Sequence, residues 1–369
     1  MYEMINSPLD YGGLTLKNRI IFAPTSMGLP RHELLERLGR IAAGGCAMII
    51  IGDVPVLPGG VVPSLYTAKG QAFYRSLADV VHREGCRLCA QLHQSDSHFK
   101  AMLQYVPGVL TGRISREELR PLLNKQVGPY ITGLPVERVR EITEAFGRAA
   151  ELALQAGFDM VQVHGDRMCG SFSSAFFNHR TDGYGGSLEN RARFAVEAVS
   201  AVRRRLPEVP IDYKLAVRRP PYGRAGVLEE ELPIFVPMLE AAGVTSFHVT
   251  LADHGDLRDT IPPKDHPAFG AEGCFLPLCD QVRGLTRLPV CGVGGLTDPE
   301  FVEEQLRSRR IDCAAMSRQL VADPDWPQKV RSGRAEEIRR CVRCNKRCLG
   351  GMMAHQGVHC IYEERKEIK

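Results

Sequence analysis

The sequence predicts a (β/α)8 barrel carrying a short cysteine-rich segment at its C-terminal end. Three observations predict it: eight short β-branched or apolar runs, gaps between them wide enough for a helix, and no Gly-rich dinucleotide turn after the first run. A doubly wound open sheet is the competing arrangement. It would usually carry G-x-G-x-x-G after its first strand, and the stretch Gly292-Val293-Gly294-Gly295-Leu296-Thr297 lacks the sixth-position glycine.

The runs follow in order. Arg19–Ala23, Ala47–Gly52 and Arg87–Leu92 form the first three strands, each an apolar stretch suited to burial on both faces of a parallel sheet. Residues 93–135 then make a connection too long for a simple loop, of the kind that covers an active site or makes contacts of its own. A helix is expected over Val136–Ala156, where Val139, Ile142, Phe146, Ala150 and Leu154 recur on one face. Met160–His164 is the fourth strand, and Leu188–Arg204 has helical periodicity. Ile211–Leu215, Ser246–Thr250, Pro289–Val293 and Cys313–Met316 complete the eight. The expected organisation is a barrel over residues 1–335 and a metal-binding segment over 336–369. Chemistry in such a barrel sits just beyond the C-terminal ends of the strands.

Composition narrows the class. At 369 residues, 44% apolar and 24% charged, the chain can bury a full core. It has no run of about 18 apolar residues, and Met1 to Asp10 have neither a basic nor an apolar leader region, so membrane insertion and secretion are not expected and the cytoplasm is the default. Twelve cysteines argue for a reducing compartment. A formal charge of +4 is mild. Basic residues gather at 203–205, 307–310 and 339–347 with few aromatics interleaved, so nucleic acid is not the expected partner.

Four cysteines, Cys341, Cys344, Cys348 and Cys360, are spaced C-x2-C-x3-C-x11-C. Thiolates packed this tightly can each take one corner of a [4Fe-4S] cluster, the last arriving beyond the loop at Gly350-Gly351. A structural zinc site is the alternative, although it usually shows two separated C-x2-C knuckles. The other cysteines, Cys46, Cys86, Cys89, Cys274, Cys279, Cys291 and Cys313, read as small hydrophobes. His93, His98 and His179 fall near the expected mouth without a metal-ligand spacing. After strands seven and eight stand Gly294-Gly295 and Ser317-Arg318, bare amides followed by a hydroxyl and a guanidinium, a combination suited to a cofactor phosphate.

The stretch from Gly157 through His164, followed by Asn178-His-Arg-Thr-Asp-Gly-Tyr-Gly-Gly-Ser-Leu-Glu-Asn-Arg-Ala-Arg-Phe194, resembles the flavin-dependent Old Yellow Enzyme family. The cysteine spacing resembles its iron–sulfur branch, which includes 2,4-dienoyl-CoA reductase, enoate reductase and trimethylamine dehydrogenase. Shorter matches run from Asn18-Arg19-Ile20 through Gln91-Leu92, Tyr213-Lys214-Leu215 and Ala322-Asp323-Pro324 to Cys360. The resemblance implies FMN at the barrel mouth, with Pro24, Thr25 and Ser26 beneath the ring, Gly52 beside them, and Gln91 on the pyrimidine edge. Lys214 stands where the family places a cation, usually arginine, to stabilise negative charge on reduced flavin. His164 is implied as the donor to a substrate carbonyl, and the activity as reduction of an activated C=C bond by hydride from flavin. Amine oxidation on the same scaffold is the second reading, and a non-catalytic electron carrier the third.

Two positions depart from the family. Arg167 stands where relatives usually carry histidine or asparagine, and Cys169 where ene-reductases usually carry a tyrosine proton donor. Arg167 suggests a clamp for an anionic substrate, or else a salt bridge to Asp166 or Asp182. Protonation would fall to Cys169, His254, Tyr130, Tyr66 or water. Long members of the branch continue into a dinucleotide-binding domain, whereas only Ile361 to Lys369 follow Cys360 here. The expectation is therefore electron delivery by a separate ferredoxin or flavoprotein reductase docking on the basic stretch 331–347, with direct reduction by a nicotinamide or a truncated chain as alternatives. Barrels of this family often associate as homo-oligomers, and nothing in the sequence fixes a symmetry.

Overall fold

A computed structural model describes residues 2–59, 63–97, 103–111 and 113–363; His98 lies outside these. Eight parallel strands close on themselves. They are β1 (Ile20–Phe22), β2 (Met48–Pro55), β3 (Arg87–His93), β4 (Met160–His164), β5 (Ile211–Arg218), β6 (Ser246–Leu251), β7 (Val290–Gly292) and β8 (Cys313–Met316). Each pairs with the next, and β8 returns to β1 in the register Ala314↔Ile20, so no edge of the cylinder is left open. The principal helices between strands are α1 (Arg31–Ala43), α2 (Ala68–His82), α3 (Val136–Gln155), α4 (Leu188–Arg205), α5 (Leu232–Ala242), α6 (Leu276–Arg283) and α7 (Pro299–Arg307); α8 (Trp326–Arg331) follows β8. This is a TIM barrel.

Alternation along each strand separates two cores. Ile20, Phe22, Ile49, Leu88, Ala90, Val161, Val163, Phe247 and Val249 face outward and pack under the helices. Ile21, Met48, Ile50, Cys89, Met160, Cys291 and Cys313 point inward and fill the N-terminal half of the barrel. A hairpin, Leu9–Tyr11 paired antiparallel with Leu14–Leu16, plugs that end by adding Tyr11, Leu14 and Leu16 to the inner cluster. Its turn is Gly12-Gly13, both at positive φ (65° and 98°), which a side chain would strain.

The strands lie where the sequence places them, with β2 running on to Pro55 and β5 to Arg218. The hairpin was not expected. Nor was the helix Arg116–Gly133 inside the long connection, whose interior prolines, Pro121 and Pro129, and weak apolar periodicity hide it. Ser115 starts that helix with a capping box closed by Glu118. Residues 338–363 lie over the C-terminal ends of β1 and β8. There Val358 N donates to Met27 O at 2.7 Å, and Cys341 N donates to Gln319 Oε1 at 2.8 Å. Among the described residues no helix is long and apolar enough to cross a membrane.

Candidate active site

Above the apolar plug the barrel interior turns polar. Gln91 on β3 donates through Nε2 to Gln162 Oε1 on β4 at 2.6 Å, and Gln162 Nε2 donates to Asp212 Oδ2 on β5. The second proton of that amide faces His248 Nδ1 on β6 at 3.3 Å. Asp212 Oδ1 also accepts from Ser246 Oγ at 2.7 Å and Tyr11 OH at 2.9 Å. Burial pushes the Asp212 carboxyl up to about 6, against the pull of these three donors. Burial and the nearby Lys214 push His248 down to about 3. The chain of bonds has a direction. Asp212 can only accept when ionised, so it fixes the face of Gln162, which fixes Gln91 with its carbonyl oxygen turned outward, 3.4 Å from the Asp53 amide.

That oxygen borders a cavity of about 290 Å3 at the C-terminal mouth. Its lining brings together Pro24, Thr25, Ser26, Gly52, Gln91, His164, Arg167, Lys214, Gly294, Gly295, Ser317 and Arg318, all named from the sequence. Cys169 and His254 do not line it. His164 ends β4 and is 6% exposed. The Asp166 amide donates to its Nδ1 at 3.2 Å, so the neutral ring carries its proton on Nε2. Burial, then Lys214, holds its pKa well below the ordinary histidine value, keeping it a neutral donor. Lys214 lies beside it in register (His164↔Lys214) and makes no hydrogen bond or ion pair among the described residues. Thr25 and Ser317 join the first and last strands through their hydroxyls at 2.8 Å. The sequence reading missed Asp53, at φ 56° where β2 loses its pairing register, whose Oδ2 accepts from Ser26 Oγ at 2.5 Å.

A second group of charges stands deeper, under the helix 116–133. Arg167 lies 3.6 Å from Asp253, not against Asp182, which pairs with Arg180. Arg120 from the long connection bonds the other Asp253 oxygen at 2.6 Å. His254 Nε2 sits 2.7 Å from Asp96, and its Nδ1 is 3.1 Å from Asn124 Oδ1. His254, 2% exposed, is thus half of a buried ion pair. Cys169 is fully buried on the short helix Met168–Ser173, inside the outer core, and burial pushes its thiol far up. Neither residue is among those lining the cavity. Tyr66 donates to Val56 O at 2.6 Å.

At the opposite end, Gly294 (φ 119°) and Gly295 (φ 69°) expose their backbone. A Cβ on Gly294 would come within 2.9 Å of the Phe275 ring, so glycine there keeps the turn open. Arg318 bonds Pro262 O at 3.0 Å and Asn345 Oδ1 at 2.7 Å. Cys341, Cys344, Cys348 and Cys360 are free thiols lining one small adjoining cavity, bordered also by Arg318. Among the described residues no three His, Cys, Asp or Glu side chains converge as they would on a single metal ion.

The chain is similar to known proteins over its whole length. Bilirubin reductase of Clostridium symbiosum (strain WAL-14163) is 62% identical over 370 residues, covering 100% of this chain and 99% of that protein. Bilirubin reductase of Mediterraneibacter gnavus (strain CC55_001C) is 33% identical over 96% of this chain, which spans 56% of that longer protein. Among solved structures, morphinone reductase superposes with a TM-score of 0.65 at 23% identity, covering 90% of each chain. A 2-naphthoyl-CoA reductase complex superposes with 0.78 at 24%, covering 98% of this chain and 57% of that one. At those identities the superpositions speak for the barrel. A family model matches residues 5–337, nearly the full barrel and its mouth, and the chain belongs to the NADH:flavin oxidoreductase / NADH oxidase family of flavin enzymes.

Proposed function

We propose that this chain reduces a carbonyl-conjugated C=C bond of a linear tetrapyrrole of the bilirubin type, with FMN in the mouth cavity. The observation that carries the reaction type is His164, a buried neutral imidazole whose Nε2–H is fixed toward the cavity by the Asp166 amide. The substrate class rests on the full-length similarity to the Clostridium symbiosum bilirubin reductase.

The cavity fits the flavin. Gln91 offers an acceptor to the pyrimidine edge, Lys214 a cation beside it, and Pro24, Thr25 and Ser26 a floor. Gly294, Gly295, Ser317 and Arg318 offer amides, a hydroxyl and a guanidinium to the phosphate. When bound, FMN supplies the hydride. His164 donates a hydrogen bond to the lactam oxygen, drawing charge from the double bond. Arg167, its side chain 31% exposed and shared with Asp253, offers its free edge to a propionate of the substrate, the anionic clamp expected from its position.

Four free thiols line one small cavity, and Cys341, Cys344, Cys348 and Cys360 would hold a [4Fe-4S] cluster there. Val342, Ile361 and Tyr362 line the same cavity and are 45%, 39% and 40% exposed, with the exposed Arg339 and Lys346 nearby. An apolar patch with a basic rim suits a transient electron-donor protein such as a ferredoxin or flavoprotein reductase.

One anaerobic experiment tests the reading. Purified protein, characterised by absorption spectrum, iron and sulfide, is reduced with dithionite and mixed with bilirubin, a cinnamate-type enoate or a methylated amine. Fast flavin reoxidation by bilirubin, with loss of the pigment's colour, is expected. Reoxidation by the enoate alone replaces the substrate; bleaching of oxidised protein by the amine replaces the reaction; colourless protein without iron removes both cofactors.

A further inference from the structure

Arg343 sits between two of the clustered cysteines, in Cys341-Val-Arg-Cys344, yet its side chain leaves the cysteine loop and lines the mouth cavity with Gly294, Gly295 and Arg318. Its backbone is left-handed (φ 50°), and it is 8% exposed. The guanidinium is anchored from behind, by Ala271 O at 2.9 Å and by Gly270 O. It also reaches Gly295, where an added Cβ would lie 2.6 Å from Nη1. Arg318, the other guanidinium on this end, is tied to the same loop through Asn345.

The charges are unbalanced. Arg318 and Arg343 make no ion pair with a carboxylate among the described residues, and both line the same end of the cavity beside Gly294 and Gly295. Two largely buried cations facing bare glycine amides at the end of a cavity form a site suited to an anion.

We infer that Arg343 is a second phosphate ligand of the flavin, delivered by the cysteine loop, so that closure of that loop and retention of the phosphorylated cofactor are linked. The inference rests on the flavin reading of the cavity. Folding the loop brings in the cation, and the phosphate in turn holds the loop by relieving the repulsion between the two guanidiniums. A change in the cysteine segment would then be felt as flavin loss.

The test separates a phosphate contact from general damage by comparing FMN with riboflavin, which lacks the phosphate. The full chain, stripped of flavin, is titrated with each ligand by fluorescence quenching. Arg343→Met should weaken FMN about 10- to 100-fold, the size of a lost charge-assisted hydrogen-bond pair, and leave riboflavin within about twofold. Arg343→Lys, which keeps charge without the fork, should fall between. Equal loss for both flavins, or no loss for FMN, overturns the inference. Wild-type protein that binds neither flavin overturns the cavity reading itself. If Arg343→Met does not accumulate as folded protein, hydrogen exchange in wild-type chain decides. Residues 341–348 should slow more on adding FMN than riboflavin, and equal slowing overturns the link.

Discussion

Replacing Asp212 with asparagine should reverse a line of hydrogen bonds that ends at Gln91, on the edge of the proposed flavin site. Asp212 accepts from Gln162 on one oxygen and from Ser246 and Tyr11 on the other. An asparagine there can keep its carbonyl toward Ser246 and Tyr11, but its NH2 then faces the Gln162 NH2. Gln162 must turn over to present its oxygen, which places its NH2 against that of Gln91. Gln91 turns in its own right and offers a donor to the cavity where it had offered an acceptor. One favourable bond to the pyrimidine edge becomes a donor–donor contact, a loss of about 1–3 kcal/mol, or roughly 5- to 150-fold in flavin affinity. Because the change is remote from the phosphate, FMN and riboflavin should lose equally. A glutamate at 162 in the same chain accepts from both sides and should restore affinity. Titration of flavin-free protein checks both steps. Wild-type affinity in Asp212→Asn, or no recovery in Asp212→Asn/Gln162→Glu, refutes the polarity argument.

The same carboxyl has a pH signature. Its value rises in the folded protein to about 6, so the folded state holds the proton more tightly than the unfolded chain. The penalty is absent below about pH 4 and complete above about 6, costing on the order of 3 kcal/mol, and denaturation of Asp212→Asn should show a flatter pH slope between those limits. His164→Ala should lower kcat/KM about 100-fold, as expected for one lost donor to a developing oxyanion, while wild-type profiles show no titration of His164 between about pH 6 and 8. Cys169→Ala should leave steady-state rates unchanged; a large fall in kcat with intact flavin absorbance would return the thiol to the mechanism. For His254, burial opposes the charge but Asp96 at 2.7 Å outweighs it and raises the pKa. That pair stabilises fully below about pH 6.5 and is lost as pH rises through the raised value, so the deficit of His254→Asn in thermal melts should shrink from about pH 6 to 9.

The barrel was legible because a closed parallel sheet imposes one demand on every strand: outward positions must be apolar to meet the helices. Ile20-Ile21-Phe22 and Met48-Ile49-Ile50-Ile51 satisfy it in plain view. The helix over 116–133 was not legible, since its two prolines and poor apolar stripe deny it the usual pattern, and tertiary contacts such as Arg120 with Asp253 hold it. The N-terminal hairpin did leave a signal, Leu-Asp-Tyr-Gly-Gly-Leu-Thr-Leu, apolar alternation about a Gly-Gly turn.

The residues gathered at the mouth divide in a way that explains which could be found. Those proposed to meet cofactor or substrate from their own end of a strand, such as Gln91, His164 and Lys214, sit inside motifs and could be picked out one at a time. Asp212, Gln162, His248 and Asp53 could not, because what they do is relational. Polar side chains at inward positions of Met-Val-Gln-Val-His and Ile-Asp-Tyr-Lys look like blemishes in buried strands until β4, β5 and β6 are set side by side. In-register neighbours then supply partners that make such groups affordable in a core: Gln162 stands level with Asp212 and donates to it, and Ser246, level with Asp212 on the other side, donates to it too. Two inward polar residues at matching heights on adjacent parallel strands are therefore a signal in themselves. Cys169 fails on the same ground from the other side. Its offset from His164 places it in a familiar position along the chain, but the helix it begins turns the thiol into the apolar layer among Phe172 and its neighbours. Sequence offset fixes height along the barrel axis, while facing is set by what packs around it.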